Sequence, residues 1–199
     1  MTDADGLPLL VVCCYTPAYA GDAELLRADL ESIGLKHEIS GVPCEGSWRA
    51  NCYHRVWFLL EMLERFGRRH RLIWLDADTR ARRYPDLLEH LDCDFAAFWS
   101  LGDEGPPEIQ GGTMYFQDRL AVRELLRRWG QTRDDPSIRR SQQGLDQIVF
   151  QMAVIERTLA VRRLPPTYNC ALARTKAMVA PSQRVFEHEH FGSAVHWGI

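Results

Sequence analysis

Lysine is nearly missing from this 199-residue chain: of its 24 basic residues only Lys36 and Lys176 are lysines. The skew toward arginine carries little functional weight by itself. A formal net charge of −3 gives no overall attraction to nucleic acid or to an anionic membrane. No apolar run approaches the ~20 residues that span a bilayer, so no membrane span is expected. The chain does not open on a basic-led apolar stretch; Asp3 and Asp5 stand there instead. That argues against a signal peptide and predicts a cytoplasmic protein. None of the six cysteines forms a C-x-x-C pair. Cys13 and Cys14 sit in an apolar run and Cys93 leads into another, which predicts buried reduced thiols rather than disulfides or a zinc site. There is no internal repeat, low-complexity segment or linker.

What is present suits a folded core. Hydrophobic residues make up 46% and charged residues 26%, enough to exclude disorder and to fill one α/β domain spanning residues 1–199. Short apolar runs predict strands at Leu7–Cys14, Arg71–Asp76 and Cys93–Trp99 and one within Ile109–Phe116, and His37–Val42 is a further short strand candidate. Helical spacing predicts helices at Ala23–Ile33, Arg49–Phe66, Pro85–Leu91, Arg119–Trp129 and Leu145–Ile155. Gly34 is placed to end the first of these. Residues 130–142 read as a loop, and Val161–Leu164 precedes Pro165-Pro166 and a tail rich in histidine and aromatics. Strands alternating with helices predict a mainly parallel sheet with helices on both faces. Ligands of such sheets bind beyond the carboxyl ends of the strands.

The strongest chemical signal is Leu72-Ile73-Trp74-Leu75-Asp76-Ala77-Asp78. A buried strand delivers two carboxylates to one bend, where they can share a hard cation such as Mg²⁺ or Mn²⁺. Otherwise one Asp caps the turn and the other is solvated. In Gly111-Gly112-Thr113-Met114-Tyr115-Phe116 the glycines admit either a ligand close to the backbone or only a tight turn. The segment Glu187-His188-Glu189-His190-Phe191-Gly192-Ser193-Ala194-Val195-His196-Trp197 offers three histidines as metal or phosphate partners, or is simply a polar terminus. Asp146 in Gln143-Gly144-Leu145-Asp146-Gln147 is a candidate for sugar contact or catalysis, or a first-turn carboxylate favoured by the helix dipole. Tyr19, in the turn Tyr15-Thr16-Pro17-Ala18-Tyr19, is a candidate to stack on a base. Arg49, Asn51 and Arg55 are candidates to reach phosphate or sugar.

In this order the motifs resemble the GT-A fold glycosyltransferases, in particular the nucleotide-diphospho-sugar transferase group with its glycogenin-like and galactosyltransferase relatives. The apolar strand ending in Asp76-Ala77-Asp78 is similar to their D-x-D. Gln110-Gly111-Gly112-Thr113-Met114-Tyr115-Phe116 matches a following glycine-bearing strand, and Asp146-Gln147 an Asp-Gln pair that meets the donor sugar. His190 to Trp197 matches a late His-φ-x-G-x-x-K-P-W motif, with His196 in place of the lysine, no proline and a shifted glycine. The resemblance spans about residues 7–197. It implies a Rossmann-like GT-A fold and transfer of a sugar from a nucleoside-diphosphate sugar, with UDP as the expected nucleotide and retention at the anomeric carbon. It also implies Mn²⁺ or Mg²⁺ held by Asp76, Asp78 and His190, with His188 as the alternative to His190. Asp146 and Gln147 would be catalytic. Tyr15, Thr16, Tyr19, Arg55, Asp76, Gly111, Gly112 and His196 would bind the donor. The acceptor is open between a saccharide and a modified base in DNA.

Two competing readings remain. A haloacid-dehalogenase-like phosphatase also uses a strand-borne D-x-D, but Arg80 occupies the position where Thr or Val is usual. A non-catalytic nucleotide-sugar or nucleic-acid binding module would use Arg65, Arg68, Arg69, Arg71, Arg80, Arg82 and Arg83 against phosphates.

Overall fold

The computed structural model describes residues 6–100, 108–134, 159–171 and 173–189. A six-stranded sheet runs through it in the order β2-β1-β3-β6-β5-β7. Its strands are β1 (Leu9–Tyr15), β2 (His37–Gly41), β3 (Arg71–Leu75), β5 (Phe95–Ser100), β6 (Glu108–Phe116) and β7 (Val161–Leu164). β1 pairs in parallel with β2 and β3, and β5 with β7. β6 lies antiparallel to both its neighbours, β3 and β5. The sheet is therefore mainly parallel, as expected, with β6 alone reversed.

Strand alternation divides the core. Leu10, Val12, Leu72, Trp74, Met114 and Phe116 face one side, under α3 (His54–Phe66) and α5 (Leu120–Gln131). Val11, Cys13, Ile73, Leu75 and Tyr115 face the other, against α1 (Ala20–Ser32). The period of two sends successive apolar residues to opposite faces, and each face is buried under a helix. α1 buries Ala23, Leu26 and Leu30, spaced for one stripe. It stops at Gly34, whose φ of 71° only glycine takes without cost. Leu35 N then bonds back to Leu30 O at 2.9 Å, satisfying a terminal carbonyl as Schellman ends do.

Two departures from what the sequence predicts concern the site. The single helix expected over Arg49–Phe66 is split into α2 (Trp48–Cys52) and α3. At the join, Tyr53 N bonds to Ala50 O and Val56 N to Tyr53 O, three-residue spacings that tighten the helix as 3-10 turns do. A second sheet was not expected: β4 (Thr79–Ala81) pairs antiparallel with β8 (Phe186–His188), in the register Thr79↔His188 and Ala81↔Phe186. Between β7 and β8 runs a short helix, α6 (Ala173–Met178). A brief α4 (Asp86–Glu89) stands where Pro85–Leu91 was expected. The expected helix Leu145–Ile155 lies outside the described residues. Among the described residues, no helix is long and apolar enough to cross a membrane.

All six cysteines are free. Cys13, Cys93 and Cys170 are buried, Cys14 and Cys52 are partly so, and Cys44 is exposed.

Candidate functional site

The carboxyl end of β3 opens into the turn Asp76-Ala77-Asp78, and two connections fix that turn. Asp76 N donates to Gly112 O on β6 at 3.0 Å, and Thr79 N donates to Asp76 O at 3.0 Å. From β8, Glu189 N donates to Asp78 O at 3.2 Å. The small sheet thus carries the segment around His188 back to a turn 110 residues earlier. That turn, β6 and β8 bring Asp76, Asp78 and His188 together, with potential ligand atoms all within 4.8 Å of one another. His188 Nδ1 is 3.7 Å from Asp78 Oδ1.

His188 is 3% exposed. Its Nδ1 shares a hydrogen bond with Thr79 Oγ1 at 3.1 Å and its Nε2 one with Thr113 Oγ1 at 3.2 Å. A neutral imidazole has one donor and one acceptor, and each hydroxyl can serve either role. When Thr113 accepts from Nε2–H, Nδ1 is the acceptor for the Thr79 hydroxyl, with Asp78 Oδ1 3.7 Å away. The ring fits because Gly112 has no side chain: a Cβ there would lie 2.5 Å from His188 Cε1, 2.9 Å from Nε2 and 3.0 Å from Nδ1. By sequence alone this glycine admits a ligand or a tight turn. It makes room for an imidazole of the chain itself.

Asp76 is held from the other side. Trp74 Nε1 donates to its Oδ1 at 2.8 Å, and Arg55 Nη2 lies 3.2 Å from the same oxygen. Arg55 Nη1 donates to Gly111 O at 3.1 Å, and its guanidinium lies 5.3 Å from the centre of the Trp74 ring. Arg55 therefore sits at the carboxylate turn, on the first turn of α3.

The remaining residues proposed for the donor stand at or just after the end of β1 or lie outside the described residues. Tyr19 ends a 3-10 turn, Pro17–Tyr19, just after β1. Burial raises its phenol pKa, and the Asp78 and Asp76 carboxylates raise it further, so the hydroxyl stays protonated and lies within electrostatic reach of both. Burial also pushes the Cys14 thiol up to about 12 and Cys13 well up, with Asp76 and Asp78 contributing to the Cys13 shift. Neither thiol is a nucleophile at neutral pH. The Tyr15 ring lies over Gly41, 3.6 Å from where a Cβ would stand. Thr16 is half-buried, and its carbonyl accepts from Tyr19 N at 2.9 Å. Asp146, Gln147, His190 and His196 lie outside the described residues.

Two features were not singled out from sequence. The role of Thr113 depends on a partner 75 residues away. Gln110 is 3% exposed; its Nε2 donates to Ser100 Oγ at 2.9 Å, while its buried Oε1 has no partner among the described residues. A buried acceptor left unmatched is costly, and this one lies on the strand that carries Gly111 and Gly112.

Several arginines considered as phosphate contacts are engaged internally. Arg80 makes a two-pronged bond to Asp29 at 2.8 Å for both prongs. Arg71 donates to Leu7 O and Glu89 O, Arg82 lies against Glu187, and Arg65 lies against Glu61 and Glu38.

No family model matches the chain, and no curated protein sequence does. Solved structures do match. A glycosyltransferase involved in glycosylation of the major capsid of PBCV-1 superposes with a TM-score of 0.70 at 16% identity, covering 94% of each chain. The glycosyltransferase GlyE of Streptococcus pneumoniae TIGR4 gives a TM-score of 0.65 at 14% identity over 90% of this chain. Only 54% of GlyE is covered, so this chain spans about half its length. The galactosyltransferase LgtC, solved in complex with donor and acceptor sugar analogues, gives 0.60 at 11% identity, with 90% of this chain and 86% of its own covered. At such identities the likeness speaks for architecture, and the architecture agrees with the sheet described above: the chain has the GT-A glycosyltransferase fold.

Proposed function

We propose that this protein is a metal-dependent glycosyltransferase that moves a sugar from a nucleoside-diphosphate sugar, with UDP as the preferred nucleotide, to an acceptor. The observation that carries the reading is the convergence of Asp76, Asp78 and His188 at the carboxyl end of β3, where α/β sheets of this kind bind ligands. The donor set fits a divalent cation. Two carboxylates and an imidazole suit Mn²⁺ or Mg²⁺, and atoms within 4.8 Å of one another need only a small contraction to meet bonds of about 2.0–2.2 Å. Such an ion, when bound, neutralises charge on a departing diphosphate.

The chain's own groups would do the rest. Arg55, on the first turn of α3, adds positive charge beside the diphosphate. Tyr15, Thr16 and Tyr19 border the nucleotide at the end of β1. The unmatched Oε1 of Gln110 offers an acceptor to a sugar hydroxyl, beside the backbone of Gly111 and Gly112. In this reading Asp146 and Gln147 face the donor sugar, His196 assists the diphosphate, and His190 remains a further candidate metal ligand. Transfer with retention follows from the resemblance, and a saccharide is the preferred acceptor.

The test is a screen of UDP- and GDP-sugars for slow donor hydrolysis with and without Mn²⁺, with Asp78→Asn alongside. The expected result is metal-dependent release of nucleoside diphosphate that Asp78→Asn largely removes. Turnover of Asp78→Asn near the unmodified rate with intact Mn²⁺ dependence would overturn the assignment of that carboxylate. The absence of any donor turnover or binding would overturn the function.

A further inference from the structure

The two oxygens of Asp76 are not equivalent. Oδ1 receives the Trp74 indole N–H at 2.8 Å and stands 3.2 Å from Arg55 Nη2. Among the described residues no hydrogen bond engages Oδ2. The two groups on Oδ1 also brace each other, because the Arg55 guanidinium lies 5.3 Å from the Trp74 ring centre. Neither is free to drift. Trp74 is 2% exposed and takes an edge-on contact from Phe58, with ring centres 6.4 Å apart. Arg55 is anchored to Gly111 O. Asp76 follows β3 directly, two residues after Trp74, and the indole N–H meets it from the side on which Trp74 packs beneath α3.

Resting on the reading of this turn as a cation site, we propose that Trp74 is a positioning residue: its indole N–H, together with Arg55, holds Oδ1 and presents Oδ2 alone to the divalent ion. A carboxylate without that restraint can rotate or chelate through both oxygens, and the geometry toward Asp78 and His188 would be lost. Partners that orient ligands in this way typically change metal affinity by about 10- to 100-fold when removed.

The experiment is a titration of the purified protein with Mn²⁺, followed by the loss of the free-ion electron paramagnetic resonance signal, with no sugar donor present. Trp74→Phe keeps an aromatic ring under Arg55 and removes the N–H. Phe58→Leu serves as a packing control, since it loosens the same cluster and leaves the N–H in place. The expected result is Mn²⁺ affinity at least about tenfold weaker in Trp74→Phe and unchanged in Phe58→Leu. If Trp74→Phe does not fold, replacing Trp74 by its benzothiophene analogue, which has the same shape with sulfur in place of N–H, gives the same comparison. Equal affinity in the unmodified and N–H-less proteins would overturn the role of Trp74 and leave the cation site standing. Equal weakening in Phe58→Leu would reduce Trp74 to packing. Failure of the unmodified protein to take up Mn²⁺ would overturn both this inference and the cation reading.

Discussion

Gly112→Ala is the sharpest perturbation the site allows. The added Cβ would stand 2.5 Å from His188 Cε1 and 2.9 Å from Nε2, far inside van der Waals contact. The φ of Gly112 is not positive, so alanine's own backbone is content there and the whole cost is the collision. The ring has little room to retreat. It is 3% exposed and tied to Thr79 on one side and Thr113 on the other. Overfilling a packed core costs about 1–3 kcal/mol. In a chain of 199 residues each kcal/mol shifts Tm by roughly 2–4 °C, so the expected fall is roughly 2–12 °C. If the ring moves instead, the Thr113 bond breaks, at about 0.5–1.5 kcal/mol, and the imidazole leaves Asp78. Gly21→Ala supplies the opposite sign as a control: it lies in α1 with nothing within 4 Å of its added Cβ and should stabilise by about 0.4–1 kcal/mol. Both are read by thermal unfolding of the purified proteins. A Gly112→Ala protein melting within about 1 °C of the unmodified chain, with Mn²⁺ uptake intact, would refute the account of why a glycine stands beside His188.

Three further outcomes test neighbouring links. Ser47→Ala removes the side-chain acceptor for Ala50 N at the start of α2 and should cost about 0.5–2 kcal/mol in urea unfolding; a midpoint that does not move would show that this cap contributes nothing. Asp29→Ala strips Arg80 of both its prongs and Ala81 N of its acceptor. Because the pair is largely but not fully buried, the expected loss is about 1.5–3 kcal/mol, readable as a lower Tm, and an unchanged Tm would show that the α1–β4 clamp is redundant. Asp146→Asn should lower kcat by roughly tenfold, about 1.4 kcal/mol of barrier, with UDP affinity moving less than threefold; an unchanged kcat with a slightly lower Tm would reduce Asp146 to a helix-terminal charge.

Local pattern accounts for what the sequence revealed. β1, β3 and β5 appear within a few residues of their expected limits because each is a short apolar run closed by turn residues. α1 ends where Gly34 requires it to end. The direction of β6 was hidden because Thr113-Met114-Tyr115-Phe116 alternates identically whichever way the chain runs; only the pairing Leu72↔Phe116 reveals the reversal. The split at Tyr53 was hidden because the stripe Val56, Leu59 and Leu63 lies wholly after it and carries no mark of the join. The partners of Arg55 were hidden because Gly111 O and Asp76 are non-local. Helical spacing showed that Arg55 sat near the start of a helix, not which strand end that helix approached.

The histidine question shows how far such patterns reach. His188 and His190 are two residues apart, so in an extended segment they share a face, and alternation alone cannot choose between them as partners of Asp76 and Asp78. Choosing requires the register of a strand pair joined across more than a hundred residues. That register rests on three-residue strands with no periodicity of their own: Thr79 opposite His188, Arg80 opposite Glu187 and Ala81 opposite Phe186. The pairing is fixed by burial at its two ends. Phe186 is fully buried among Leu26, Leu30 and Tyr168 in the core beneath the sheet. A one-residue slip would exchange it for Glu187, whose carboxylate now lies against Arg184 and Arg82, and would put a charge in that core at a cost that excludes it. Phe186 thus sets the phase of β8, and that phase puts His188, rather than Glu187 or Glu189, against Thr79, Thr113 and the space left by Gly112. The chemistry of the turn therefore depends on an apolar side chain two residues away that has no ligand atom of its own.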